Sequence, residues 1–99
     1  MGKKEILKVI IPRLRDFYEK MYYKKLEDDF TEDTIIGHFL DPLDLVHPIG
    51  DFEKTFNIEL FDKLEKIDEE YYTKKFTIGE LADLILHNGG KQGTITMVN

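Results

Sequence analysis

A helix start followed by a regular apolar stripe constrains this chain most strongly. Asp41 is a residue type that accepts hydrogen bonds from the free amides of a first helical turn, and Pro42 suits the first helical position because its missing N–H has no partner there. Apolar residues then recur at steps of four, three and four, on one helical face: Leu45, Ile49, Phe52 and Phe56. We therefore predict an amphipathic helix from Asp41-Pro42 that ends in a short extended segment.

The same periodicity predicts a long first helix between Lys4 and about Lys25. Its apolar positions are Leu7, Ile10, Leu14, Phe17 and Met21, widened by Ile6, Ile11, Tyr18 and Tyr22. Pro12 in this helix and Pro48 in the next each remove one backbone hydrogen bond. We expect a kink or a restart at each proline.

Two further helices are predicted in the second half of the chain. A short helix within residues 60–72 would turn inward Phe61, Leu64, Ile67 and Tyr71. Thr77 and Glu80 have the spacing of a capping box, which opens a helix with the buried stripe Ile78, Leu81, Ala82, Leu84 and Ile85. Asn88-Gly89-Gly90 predicts its end.

Length and composition indicate one small helical domain, which we place at residues 1–90, with residues 91–99 as a flexible or edge-strand tail. Hydrophobic residues make up 41% of the 99 residues, which suits a packed core. No apolar run approaches the roughly 20 residues of a membrane-spanning helix, and the charged N-terminus does not resemble a signal peptide. We predict a cytoplasmic protein without membrane contact.

Charge is distributed unevenly along this acidic chain, whose net charge is -6. Residues 1–25 hold eight Lys/Arg against three Asp/Glu, whereas the remaining residues hold six against seventeen. An acidic body repels phosphates, so we do not expect nucleic acid as a partner. We expect protein partners with basic patches instead. The basic first helix is expected to neutralise its own acidic neighbours.

Candidate metal and catalytic residues are sparse. The loop carboxylates Glu27, Asp28, Asp29, Glu32 and Asp33 offer oxygen ligands, but their spacing is not that of an EF-hand. His38 and His47 flank the helix start and leave a weak metal site conceivable, whereas His87 stands alone. The chain has no cysteine and no Asp-His-Ser arrangement. We predict no catalytic residues, no metal site and no enzyme activity.

The helix start resembles a motif of the acyl carrier protein family. Asp41-Pro42-Leu43-Asp44-Leu45-Val46 is similar to the Asp-Ser-Leu-Asp-Leu-Val that opens the second helix of those proteins. The exit Phe56-Asn57-Ile58-Glu59-Leu60 and the final-helix start Thr77-Ile78-Gly79-Glu80 are similar to family segments in the same order. The resemblance covers roughly residues 34–87 and implies an all-α bundle of four helices, three main and one short.

In that family the serine carries the phosphopantetheine arm, and here Pro42 occupies its position. Proline has no hydroxyl, and the whole chain contains no serine. The resemblance therefore implies a carrier fold to which no phosphopantetheine cofactor can attach at residue 42. His47 and Lys54 also stand where the family usually has carboxylates, so we expect different partners.

We predict from this resemblance a monomeric, non-catalytic protein-interaction module, whose partners include enzymes of acyl or lipid metabolism. The expected partner-binding residues are Asp41, Pro42, Leu43, Asp44, Val46, Asp51 and Glu53. The alternative is an acyl carrier protein of fatty-acid or polyketide-type metabolism, either as a serine-lacking variant or as a non-covalent acyl binder.

Overall fold

The computed structural model describes the backbone of residues 2–98 and the side chains of residues 2–88. Over that range the chain forms five α-helices and one 3-10 turn: α1 (Lys3–Tyr22), the 3-10 turn (Ile36–His38), α2 (Pro42–Phe56), α3 (Phe61–Glu65), α4 (Glu69–Lys74) and α5 (Ile78–Val98). The predicted all-α class is confirmed. None of these helices is both long and apolar enough to cross a lipid bilayer.

Helix α1 buries one narrow stripe. Ile6, Ile10 and Leu14 lie four residues apart and are almost fully buried, because that spacing returns each side chain to the same face. The helix is continuous through Pro12, so the chain does not restart there. It ends at Tyr23, which adopts the left-handed conformation with φ 52°.

Helix α2 buries the predicted face against α1 and the rest of the core. Leu45, Ile49 and Phe52 are buried, and Phe56 is half-buried. Pro48 is also buried, and the helix runs through it without a restart. The apolar stripe keeps its phase across this proline, which agrees with the core face predicted from the sequence.

The loop between α1 and the 3-10 turn is attached to the start of α5. The Ile78 amide donates to the Thr34 carbonyl at 2.9 Å, and the Gly79 amide donates to the Glu32 carbonyl at 2.8 Å. Ile35 pairs with Thr77 in an isolated antiparallel bridge. This loop therefore covers the first turn of α5.

The predicted single short helix over residues 60–72 is wrong, because two helices stand there. Asp68 accepts hydrogen bonds from the amides of Glu70 and Tyr71, so its side chain caps a new helix. Because the chain breaks between α3 and α4, the residue that turns inward is one position later than predicted. Tyr72 is buried at 5% exposure, whereas Tyr71, the predicted inward residue, is half-buried.

Helix α5 completes the core with four buried residues in its described part: Ile78, Leu81, Ala82 and Ile85. It packs along α1. Its bounds are Ile78 and Val98, so the backbone continues past the stop predicted at Asn88-Gly89-Gly90. The predicted tail over residues 91–99 lies outside the residues whose side chains are described, and the domain boundary at residue 90 stays a prediction.

Candidate functional site

The start of α2 is built as the sequence predicts. The Asp41 carboxylate accepts a hydrogen bond from the Leu43 amide at 3.1 Å, and the Asp41 carbonyl accepts from the amides of Asp44 and Leu45. Pro42 occupies the first turn, where it sacrifices no intrahelical bond. Residue 42 is exposed at this helix beginning.

Two large apolar side chains at this helix start face solvent. Leu43 is 80% exposed and Val46 is 46% exposed. They lie three residues apart and therefore share one side of the helix. A single exposed leucine is common on protein surfaces, but this pair adjoins a cavity that is also apolar.

That cavity, which we call the α2–α4 cavity, has a volume of about 200 Å³. Its lining comes from α2, α3 and α4 and is apolar except for the Glu65 carboxylate and the Tyr72 hydroxyl. The lining residues are Pro42, Leu45, Val46, Ile49, Phe61, Leu64, Glu65 and Tyr72. The sequence did not predict this cavity, because its wall depends on the break between α3 and α4 that turns Tyr72 inward.

Tyr72 forms the polar end of the cavity wall. Its hydroxyl donates to the Leu40 carbonyl at 2.9 Å, which ties α4 to the residue before the Asp41 cap. Burial raises the pKa of Tyr72 well above its ordinary value of 10.0, and the carboxylates of Asp41 and Asp44 act in the same direction. The hydroxyl is therefore a neutral donor that holds the start of α2 in place.

Glu65 lines the cavity, and the acidic residues Asp41 and Asp44 adjoin its lining residues along the chain. Asp44 accepts a hydrogen bond from the Tyr22 hydroxyl at 3.1 Å. Desolvation, followed by this bond, raises the pKa of Tyr22, so its hydroxyl stays a neutral donor to Asp44. Among the described side chains, no Lys or Arg forms an ion pair with Asp41, Asp44 or Glu65.

The other two predicted partner-binding carboxylates lie further along α2 and contact the chain itself. Asp51 pairs with the Arg13 guanidinium at 3.0 Å, and the same guanidinium donates to the Thr55 hydroxyl. Glu53 accepts from the amides of Leu60 and Phe61 and so caps α3. Five of the seven predicted residues therefore cluster at the helix start, and two stabilise neighbouring elements.

A second, shallower groove of about 290 Å³ lies between α1 and α2. The rings of Phe17 and His47 face each other there with centroids 5.9 Å apart. Its charges are mixed, because Arg13 and Lys20 line it together with Asp16 and Asp51. The sequence did not predict this groove, since α1 and α2 are distant along the chain.

The basic residues of α1 meet acidic residues of the rest of the chain. Lys3 pairs with Asp83 at 3.2 Å, and Arg15 pairs with Asp29 at 3.2 Å. These contacts agree with the expectation that α1 neutralises its own neighbours, although exposed pairs contribute little stability each. Among the described side chains, no three His, Asp or Glu groups are placed to hold a metal ion together.

Comparisons of this chain with protein-family models, with curated proteins and with solved structures give no match. The function is therefore inferred from the geometry of the helix start and the cavity beside it.

Proposed function

We propose that this protein is an acyl-carrier-protein-like helical bundle without the phosphopantetheine-attachment serine. In this proposal it acts as a non-catalytic protein-interaction module. Its docking surface is the start of α2, defined by Asp41, Pro42, Leu43, Asp44 and Val46. The proposal is based on Leu43, a leucine with 80% of its surface in solvent at a helix start that the rest of the chain holds firmly.

The composition of the docking surface supports a protein partner. Leu43 and Val46 supply apolar area, and partner binding would remove that area from water at roughly 25 cal/mol for each Å². The carboxylates of Asp41 and Asp44 lie beside it, and among the described side chains neither forms an ion pair with a Lys or Arg. Basic side chains on the partner would complement them and set the orientation of docking.

Site-specific photo-crosslinking tests this proposal. A photoreactive phenylalanine analogue at position 43 should capture a discrete partner in cells, whereas the same analogue at position 4 should not. Lys4 is a suitable control because it is exposed near the opposite end of α1 from Tyr22, which bonds to Asp44.

The purified partner then allows a quantitative test. The variant Leu43→Asp should weaken its binding at least about tenfold, because a charge replaces the apolar contact. Lys4→Asp, a matched control, should leave the affinity almost unchanged. Equal affinity of the partner for Leu43→Asp and the wild type would contradict the proposal.

A second candidate function, an acyl carrier that has lost its serine, is favoured by the apolar α2–α4 cavity beside Pro42. The variant Pro42→Ser, treated with coenzyme A and a promiscuous phosphopantetheinyl transferase, distinguishes the two candidates. Efficient gain of one phosphopantetheine mass at residue 42, with none on the control Leu43→Ser, would favour carrier ancestry over a repurposed module.

A further inference from the structure

Tyr23 is the most exposed large hydrophobic residue in the described part of the chain, at 95%. Its backbone has φ 52° and ψ 41°, a left-handed conformation that glycine or asparagine adopts with less strain. At the end of α2 the same conformation is adopted by an asparagine, Asn57, with φ 54°. A strained, fully exposed aromatic residue where a glycine would serve the fold better indicates a role outside the fold.

The residues around Tyr23 are basic. Lys24 and Lys25 follow it directly and are exposed. Among the described side chains neither ammonium has a carboxylate partner, unlike Lys3, Arg13 and Arg15. The end of α1 thus presents an aromatic ring beside two positive charges that have no carboxylate partner among the described side chains. We call Tyr23, Lys24 and Lys25 together the Tyr23 knob.

The α2–α4 cavity has the complementary features. Its volume of about 200 Å³ exceeds the ~150 Å³ at which an apolar protein cavity binds a benzene ring. It is smaller than the ~300 Å³ at which pockets for whole drug-sized ligands begin. Glu65 lines the cavity, and Asp41 and Asp44 directly adjoin its lining residues along the chain. An aromatic ring with flanking ammonium groups therefore matches both the size and the charge of the cavity.

We infer that the α2–α4 cavity binds the Tyr23 knob of a second copy of this chain. This inference rests on the proposed function, since it names a partner for the same docking surface. Two copies related by a two-fold axis would each insert Tyr23 into the cavity of the other, because a two-fold interface repeats every contact. The dimer is weak and reversible, since each contact has one aromatic anchor and exposed charges at its rim.

Charge favours the Tyr23 knob over a free fatty acid as the occupant of the α2–α4 cavity. A fatty acid would bring its own carboxylate to a cavity that Glu65 lines and that Asp41 and Asp44 adjoin, and like charges repel. Lys24 and Lys25 of a second copy bring the opposite charge to the same place. The sequence predicts a monomer, and the inferred dimer differs from it because the sequence does not predict the cavity.

Sedimentation equilibrium of the full chain over rising concentration tests the inference. The wild type should form a dimer, and Tyr23→Gly should weaken dimerisation at least about tenfold, because the anchor is lost. The monomer of Tyr23→Gly should also unfold at a higher temperature than the wild-type monomer, because the left-handed strain is relieved. Asn57→Gly is the matched control and should leave dimerisation unchanged.

Charge reversal provides a test that does not depend on the fold of one variant. Lys24→Glu and Glu65→Lys should each weaken dimerisation alone, and an equimolar mixture of the two proteins should restore it as a heterodimer. In the mixture the new carboxylate faces the new ammonium, and the unchanged pair also remains. Glu59→Lys, an exposed change outside the cavity lining, should not weaken the dimer.

Three outcomes would overturn the inference. They are a chain that stays monomeric up to about 1 mM, a dimer that is insensitive to Tyr23→Gly, and a cavity that binds decanoate while the chain remains monomeric. A monomeric chain that still crosslinks a different protein from position 43 would leave the proposed function intact. A homodimer with no other crosslinked protein would instead support the inference and count against a separate protein partner.

Discussion

The starts of α2 and α5 are capped by similar local chemistry, yet in the described part of the chain a loop packs over the start of α5 alone. Asp41 caps α2 through its carboxylate. At α5 the Thr77 hydroxyl accepts from the Glu80 amide, and the Glu80 carboxylate accepts from the Thr77 amide. Both helices therefore begin with a satisfied cap, and the difference between them lies in what packs over the first turn.

Over α5 the first turn is enclosed by a loop from early in the chain. The Glu32 carbonyl accepts from the Gly79 amide, and Leu81 has no exposed surface. In α2 the counterpart of Leu81 is Leu45, which is also buried, but the counterpart of Gly79 is Leu43, which is left 80% exposed. The comparison teaches that a cap decides where a helix starts, while the surroundings decide whether its first turn is covered or left exposed.

The largest expected difference comes from truncating one leucine in each first turn. Leu81→Ala should lower the free energy of unfolding by about 2–5 kcal/mol, because it leaves a cavity in the core. Leu43→Ala should change it by less than about 0.5 kcal/mol, because the side chain is already in water. Urea unfolding followed by circular dichroism measures both, and comparable losses would mean that the start of α2 is covered after all.

A smaller loss of unfolding free energy is expected at the hydrogen bond that ties the start of α2 to α4. Tyr72→Phe keeps the ring in the wall of the α2–α4 cavity but removes the donor to the Leu40 carbonyl. Leaving that carbonyl without this donor should cost about 1–3 kcal/mol. The same urea titration checks the value. Tyr71→Phe, which loses the bond to Glu80 in the first turn of α5, provides the comparison at the other helix start.

The same tyrosine predicts a dependence of stability on alkaline pH. Because the pKa of Tyr72 is raised on folding, the unfolded chain loses this proton first as pH rises past the ordinary value of 10.0. The stabilisation is complete below that value and declines above it. Tyr72→Phe should show a shallower alkaline decline than the wild type; Tyr22 and Tyr71, whose pKa values are also raised, should keep part of it. An identical decline in both proteins would contradict the role of Tyr72.

The elements that the sequence predicted correctly are those set by local spacing. The helical span of α1, the apolar steps of α2, the cap at Asp41 and the capping box at Thr77 each depend on a few neighbouring residues, whereas the buried stripe of α1 is Ile6, Ile10 and Leu14 instead of the predicted one. The exposed pair at the start of α2 belongs to this class, because Leu43 and Val46 lie off the apolar stripe. The position of this exposed pair was therefore predictable, and its role in docking stays a proposal.

What the sequence did not predict depends on residues far apart. The apolar pattern runs from Phe61 to Tyr72 without a visible interruption, and the Asp68 cap that divides α3 from α4 is only one of many acidic residues there. That division turns Tyr72 inward and creates the cavity. Covering of the α5 start by Glu32 likewise requires a loop over 40 residues away, which periodicity does not report.

The two caps themselves should contribute about equally, in spite of their different surroundings. Asp41→Ala and Thr77→Ala should each lower the free energy of unfolding by about 0.5–2 kcal/mol, because each removes one acceptor for a first-turn amide. Thermal unfolding compares them. A Thr77→Ala loss far above this range would show that the cap and the covering loop act as one unit, and that local chemistry does not separate from packing here.

The smallest effect concerns one glycine in each helix. A methyl group added at Gly50 of α2 would meet nothing within 4 Å, so Gly50→Ala should raise the free energy of unfolding by about 0.5–1 kcal/mol through the lower chain entropy of alanine. At Gly79 the added carbon would lie 3.0 Å from the Glu32 carbonyl oxygen, a backbone atom that also accepts from the Gly79 amide. The contact should cancel or outweigh the same gain in Gly79→Ala. Calorimetry measures whether each variant gains or loses stability. An equal gain in both variants would mean that the loop over α5 shifts easily, and the starts of α2 and α5 would then not differ in how firmly they are covered.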